Sequence, residues 1–209
     1  MKDFTYHIDG LDLFPLGMTL FPDGIMTLNI FEPRYLSMIK RHFQRGEPFG
    51  VVTLLEGFEV KLPAQEIKLA DIGTLAKITQ FEELQPAMFR ITCMGWRRFK
   101  INYRLPPLIG VEQARVTLLD DDPIVAVSPE LQGVADTLGQ FISQNQARGI
   151  KLSEFPFAQP FCLDESGWVA NRWAQLLALN RLEKVRLLGE LDPLIRLIKI
   201  RDLMNAQSS

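Results

Sequence analysis

At 209 residues, 47% apolar and 23% charged with a net charge of −2, the chain has the composition of a folded globular protein that buries roughly 70% of its unfolded surface. Lys plus Arg stand at 14 against 13 Asp plus Glu over residues 1–119 and at 9 against 12 over the rest, so neither part has the basic excess that phosphate neutralisation needs, and nucleic acid is disfavoured as a partner. No apolar run nears the roughly 18 residues of a membrane span and the first ten residues lack a signal-peptide core, so the expectation is a cytoplasmic protein with no membrane partner.

Between residues 13 and 28 the β-formers fall in short runs cut by Pro15, Gly17, Pro22 and Gly24, the punctuation of short strands joined by turns. Asp23-Gly24 reads as a turn in which glycine supplies the positive φ. Pro33 stands where a helix can begin without losing a hydrogen bond, since the first N–H groups of a helix have no internal partner. Tyr35, Met38, Ile39, His42 and Phe43 follow at helical spacing, and Gly46 is the natural stop. Residues 49–55 read as a strand. Residues 56–71 lack a clean period and are expected to be a connecting loop with a short strand near 58–61. Alternation then marks strands at 73–81, 88–94, 97–103 and 109–119, with Arg98 and Lys100 sharing one solvated face. Successive strands at this spacing fit an antiparallel, partly closed barrel.

The period changes at Asp120-Asp121-Asp122-Pro123, a run of like charges expected to be a solvated linker rather than a metal site. Beyond it, Ser128 can cap and Pro129 can open a helix whose apolar stripe is Leu131, Val134, Ala135, Leu138, Phe141 and Ile142, ended by Gly149. A second helix is expected from Ser166, with Val169, Trp173, Leu176 and Leu177 on its buried side. Asn180 and Glu183 are spaced as a capping box, and Asp192-Pro193 repeats the cap-plus-proline device before the last helix. The expected organisation is a β-barrel subdomain over 1–119, an acidic linker over 120–128 and a helical bundle over 129–209.

Several segments carry a resemblance. Phe31-Glu32-Pro33-Arg34-Tyr35 between two short strands and an amphipathic helix, the strand Ile72-Gly73-Thr74-Leu75-Ala76-Lys77-Ile78, and the strand Gly95-Trp96-Arg97-Arg98-Phe99-Lys100-Ile101 come in that order. Trp168-Val169-Ala170-Asn171-Arg172 and a Leu-rich run over 181–204 follow. Together they resemble the Lon protease N-terminal (substrate-binding) domain family over nearly the whole chain. The resemblance implies an α+β fold, with an N-terminal antiparallel PUA-like β barrel carrying one amphipathic helix, followed by a C-terminal helical bundle. It also implies a non-catalytic module that binds unfolded or extended polypeptide segments, an adaptor or substrate-recognition protein for ATP-dependent proteolysis with a protease as partner. The alternative is an RNA-binding PUA-like module with a basic patch at Arg97, Arg98 and Lys100. One departure stands out: where the family has a charged turn like LPDGR, this chain reads Leu84-Gln85-Pro86-Ala87-Met88-Phe89-Arg90.

The motifs of catalysis are missing from the sequence. It holds no G-x-x-x-x-G-K-[ST] loop, no G-x-S-x-G elbow and no H-E-x-x-H pair, so no catalytic residue, metal or cofactor is assigned and an enzyme is not expected. Cys93 and Cys162 are too few for a disulfide framework or zinc site, and of the two histidines, His7 and His42, the second lies at helical spacing from Met38 and Ile39 and reads as structural. Glu32 and Arg34 are expected to tie neighbouring backbone groups or pair with another charge at a strand-to-helix junction. The candidate peptide-binding residues are Pro86, Met88 and Phe89 at the apolar hairpin tip, where an exposed greasy turn is unfavourable unless something covers it. Trp96 and Arg98 join them as an aromatic-basic pair, and Met18, Met26 and Met88 would give an adaptable surface where exposed.

Overall fold

The computed structural model describes residues 6–57 and 67–207, so the short strand expected near 58–61 lies outside the described residues. The chain divides into two compact units, Met1–Asp120 and Asp121–Ser209. The first unit contains β1 (His7–Leu16), β2 (Ile25–Ile30), α1 (Pro33–Arg45), β3 (Phe49–Glu56), β4 (Lys68–Gln85), β5 (Met88–Leu108) and β6 (Val111–Leu118).

These strands form one six-stranded sheet in the order β2-β5-β4-β3-β1-β6, and β6 pairs a second time with β5. Following the pairings from β5 through β4, β3, β1 and β6 therefore leads back to β5. The expectation of a wholly antiparallel arrangement is corrected at one seam, because β1 and β3 are parallel, with Leu13 opposite Gly50 and Leu16 opposite Thr53. The chain leaves β1, passes through β2 and α1, and re-enters in the same direction, as a crossover connection requires.

Two further differences follow from one glycine. The segments 88–94 and 97–103 are a single strand, β5, and the Gly95 between them does not interrupt it. Its N–H donates to the Gly24 carbonyl at 2.8 Å and its own carbonyl accepts from Asp23 N–H at 2.9 Å. A Cβ at Gly95 would lie 2.2 Å from the Phe21 carbonyl oxygen, so the residue is there for close backbone approach. The β4–β5 register also slips here, between the pairs Thr74–Arg98 and Ala76–Gly95. The extra residue breaks the alternation, so that Arg98 and Phe99 are both buried while Lys100 is exposed. The solvated face expected for Arg98 is thereby corrected. In the Asp23-Gly24 turn, Asp23 has the positive φ, 60°.

Helix α1 forms as its sequence dictates. Proline opens it, and Gly46, in the left-handed conformation at φ 65°, closes it by donating to the His42 and Phe43 carbonyls. Its buried face of Tyr35, Met38, Ile39 and His42 packs onto a core that includes Phe14, Leu16, Ile30, Phe49, Phe89, Ile91 and Val111. Burying side chains such as Met38 and Ile39 stabilises by about 1.5–3 kcal/mol each. Phe43 stays 45% exposed and stacks on Phe81, which in turn packs against Phe89.

The second unit contains α2 (Gln132–Ala147), α3 (Ser166–Leu176), α4 (Arg181–Gly189) and α5 (Pro193–Gln207), with α3 packed chiefly on α5. Pro129–Leu131 is a single 3₁₀ turn leading into α2, and Ser128 makes no capping bond. The capping box forms: Asn180 Oδ1 accepts from Glu183 N–H and Glu183 Oε2 accepts from Asn180 N–H, both at 2.9 Å. Asp192 Oδ1 accepts from the Leu194 and Ile195 N–H groups at the start of α5.

The acidic run is not simply solvated. The fully buried Arg196 guanidinium pairs with both Asp122 oxygens, at 2.5 and 3.0 Å, and also donates to Asn171 Oδ1 at 3.1 Å. Ser166 N–H donates to the Val125 carbonyl at 2.8 Å, so this stretch is built into the helical unit.

Candidate functional site

Among the described residues, β2 is the one strand of the sheet paired on a single side. It lies antiparallel to β5 with Ile25 opposite Met94 and Ile30 opposite Phe89, without a bulge. Because Gly95 N–H donates to Gly24 O, the residues bonded to β5 are those in step with Gly24, namely Met26, Leu28 and Ile30. Thr27 and Asn29 therefore turn their backbone N–H and C=O groups away from β5, toward the open edge. Natural sheets guard such edges with lysine, proline or a bulge. The sequence Ile-Met-Thr-Leu-Asn-Ile contains none of these.

The edge borders an apolar cavity of about 100 Å³ lined by Phe14, Pro15 and Leu16 of β1, Leu28, Asn29 and Ile30 of β2, and Phe31, Glu32 and Tyr35. Among the described residues β6 pairs with the cavity's β1 wall only from His7 to Leu13, and Pro15 has no N–H to offer. The Phe14 and Tyr35 rings, stacked at 4.2 Å, fix the cavity wall, and Phe31 is left 54% exposed at its rim. Glu32 and Arg34 hold the junction as expected. Arg34 Nε donates to Glu32 Oε2 at 2.9 Å, its Nη1 donates to the Gly110 carbonyl at 3.1 Å, and the guanidinium lies 4.3 Å from the Tyr35 ring centre.

The structure divides the five sequence candidates. Pro86 is exposed and Met88 half-buried at the β4–β5 tip, but Phe89 and Arg98 are buried and present no surface. Trp96 is 41% exposed, with Lys77 Nζ 3.6 Å from its ring centre. Met88 and Trp96 thus fall near opposite ends of β2 in the register of β5, bracketing the edge without forming one patch. Of the three residues expected to form a basic patch, Arg98 is buried, Arg97 is part-buried and donates to the Leu119 carbonyl at 3.0 Å, and Lys100 is exposed. Met18 is exposed, whereas Met26 is in the core. The β2 edge itself escapes sequence reasoning. Its one signal is a strand-like run without charge or proline.

Two polar clusters show what the chemistry of the unit is. Buried Asp12 accepts hydrogen bonds from His42 Nε2 at 3.0 Å, Gln113 Nε2 at 2.7 Å and Arg41. Burial alone would raise its pKa, yet the bonds from His42 and Gln113 and the Arg41 charge hold the carboxyl below the ordinary value. Buried Glu112 pairs with Arg104 at 2.5 Å. The carboxylates are thus engaged in structural pairs. Burial pushes the Cys93 thiol up to about 12, which removes its thiolate at neutral pH. Among the described residues no three His, Cys, Asp or Glu side chains converge as metal ligands would, and no helix is long and apolar enough to cross a membrane.

Comparison with known proteins gives a consistent result. Residues 10–206 match the family model of the ATP-dependent protease La (LON) substrate-binding domain. The crystal structure of a Lon N-terminal domain protein from Xanthomonas campestris superposes with a TM-score of 0.74 at 27% identity, covering 93% of this chain and 98% of that one. The N-terminal domain of a Mycobacterium avium complex Lon protease shares the fold, with a TM-score of 0.53 at 15% identity over 92% of this chain and 96% of that one.

Proposed function

This chain belongs to the family of the ATP-dependent protease La (Lon) substrate-binding domain, and from that membership we propose that it is a non-catalytic module which captures extended polypeptide as an added strand on β2. The observation that carries this reading is the unguarded edge of Ile25–Ile30. An extended segment laid beside Thr27 and Asn29 pairs its backbone with theirs, which gives affinity without regard to sequence. Alternate side chains then select, one of them filling the apolar cavity between Phe14 and Leu28. Pro86, Met88 and Trp96 are flanking contacts at the two ends of the strand. A captured segment stays unmodified and can be passed to an ATP-dependent protease, which makes the module a recognition or adaptor element.

The test is fluorescence anisotropy with a labelled peptide of alternating valine and threonine, compared with the same peptide N-methylated on every second amide. Strand addition needs those amides, so N-methylation abolishes binding. Equal affinity for the two peptides overturns the reading.

A further inference from the structure

The turn joining β5 and β6 is built against its sequence. Leu108 pairs with Val111, leaving Ile109 and Gly110 as a two-residue loop with φ values of 52° and 78°. Positive φ at both positions is the type I′ pattern, for which asparagine followed by glycine is strongly preferred. A β-branched residue there is strained, because its Cβ crowds the backbone. Ile109 is also 80% exposed and Leu108 52% exposed, so the turn is unfavourable in backbone and in solvation alike. Pro106 and Pro107 fall where the β5–β6 register slips between Leu105 and Leu108, which stiffens the approach to the tip.

This tip is tied to the candidate site. Gly110 O accepts from Arg34, which is paired with Glu32, and Glu32 and Phe31 line the cavity beside β2. Val111, next in the chain, packs in the same core cluster as Phe14, Ile30 and Tyr35. Beyond Ile30 the chain runs through Phe31 and Glu32 to Arg34, whose guanidinium meets this turn at the Gly110 carbonyl. Resting on the strand-addition reading above, we propose that Leu108 and Ile109 are a second anchor for the same extended apolar polypeptide, and that strain at Ile109 is retained because an aliphatic side chain is needed there. The substrate class is thereby narrowed to segments with two apolar groups, one for the cavity and a later one for the hairpin tip.

The decisive variant is Ile109→Asn, which supplies the residue the turn prefers. It is expected to raise the thermal midpoint by roughly 2–4 °C, the shift that relief of one left-handed penalty gives in a chain of this size, while weakening the valine-threonine peptide by tenfold or more. A merely structural turn residue would not move the two measurements in opposite senses. Leu108→Ser is expected to weaken the peptide similarly. Unchanged affinity in both variants, with N-methylation still abolishing binding to the parent, overturns the second anchor and leaves strand addition on β2 standing. Insensitivity to N-methylation overturns both. A lower midpoint for Ile109→Asn overturns the strain argument. A change in sedimentation with no change in peptide affinity assigns the tip to self-association instead.

Discussion

Arg34 Nη1 donates to the Gly110 carbonyl across 76 positions of sequence, at 3.1 Å, and so fastens the first turn of α1 to the hairpin between β5 and β6. The same guanidinium is paired with Glu32 at 2.8 Å and lies over Tyr35, a geometry that needs a planar fork of donors. Lysine keeps the charge and loses the fork. Arg34→Lys is therefore expected to destabilise the protein by about 1–2 kcal/mol in urea unfolding. Hydrogen exchange should show faster opening of the β5–β6 turn while the β3–β4 amides are unchanged. Uniform acceleration across the sheet would mean that Arg34 supports the unit as a whole rather than this junction.

The open edge predicts a separation of stability from binding. Thr27 is exposed and its N–H faces away from β5, so proline there removes a donor that the β2–β5 ladder does not use. Thr27→Pro is expected to change stability by less than about 1 kcal/mol and to abolish capture of the valine-threonine peptide. Retained affinity in a folded Thr27→Pro protein would sink strand addition on β2.

What the sequence discloses follows from how local each signal is. Helix α1 is legible because Pro33, the stripe from Tyr35 to His42 and Gly46 act within a few turns of each other, and the Asn180–Glu183 box is legible for the same reason. Arg98 is misplaced because one extra residue near Gly95 breaks the alternation locally, burying Arg98 beside Phe99 while Lys100 stays exposed, and nothing in Gly95-Trp96-Arg97 announces a bulge. Phe89 looks like a hairpin tip residue, but it lies directly opposite Ile30 and shares its core. The β2 edge is the least legible feature, since being an edge depends on which distant strands find partners. Ile109 is visible once the turn is known: a β-branched residue before glycine at a two-residue loop contradicts turn chemistry, and such contradictions gather at functional positions.

The Asp122–Arg196 pair predicts that the acidic run is a structural element of the helical unit. Arg196 is fully buried and donates to both carboxylate oxygens of Asp122. Removing the carboxylate leaves a guanidinium without its counter-charge in a dry site, which costs about 3–5 kcal/mol. Asp122→Ala is expected to lower the stability of the helical unit by that amount, whereas Asp136→Ala, at an exposed position of α2, changes it by less than about 0.5 kcal/mol. Equal and small effects from both variants would return Asp122 to the status of a solvated linker residue.

Asp12 predicts how the sheet unit responds to acid. Its folded pKa is depressed against the effect of burial by His42, Gln113 and Arg41, while in the unfolded chain an aspartate titrates near about 3.9. A carboxyl that binds protons less readily when folded contributes stability that is fully present above the unfolded pKa and lost as pH falls through the folded one. Asp12→Asn removes that titration and weakens the charged hydrogen bonds, so the variant is expected to be about 2–3 kcal/mol less stable near neutrality. The gap should narrow as pH falls from about 5 to below 3. Urea unfolding of both proteins across that range measures the difference directly and cancels the other carboxylates, which are common to the two chains. A gap that stays constant to low pH would show that the carboxylate charge of Asp12 does not support the fold, and that His42 and Arg41 are held by their remaining contacts.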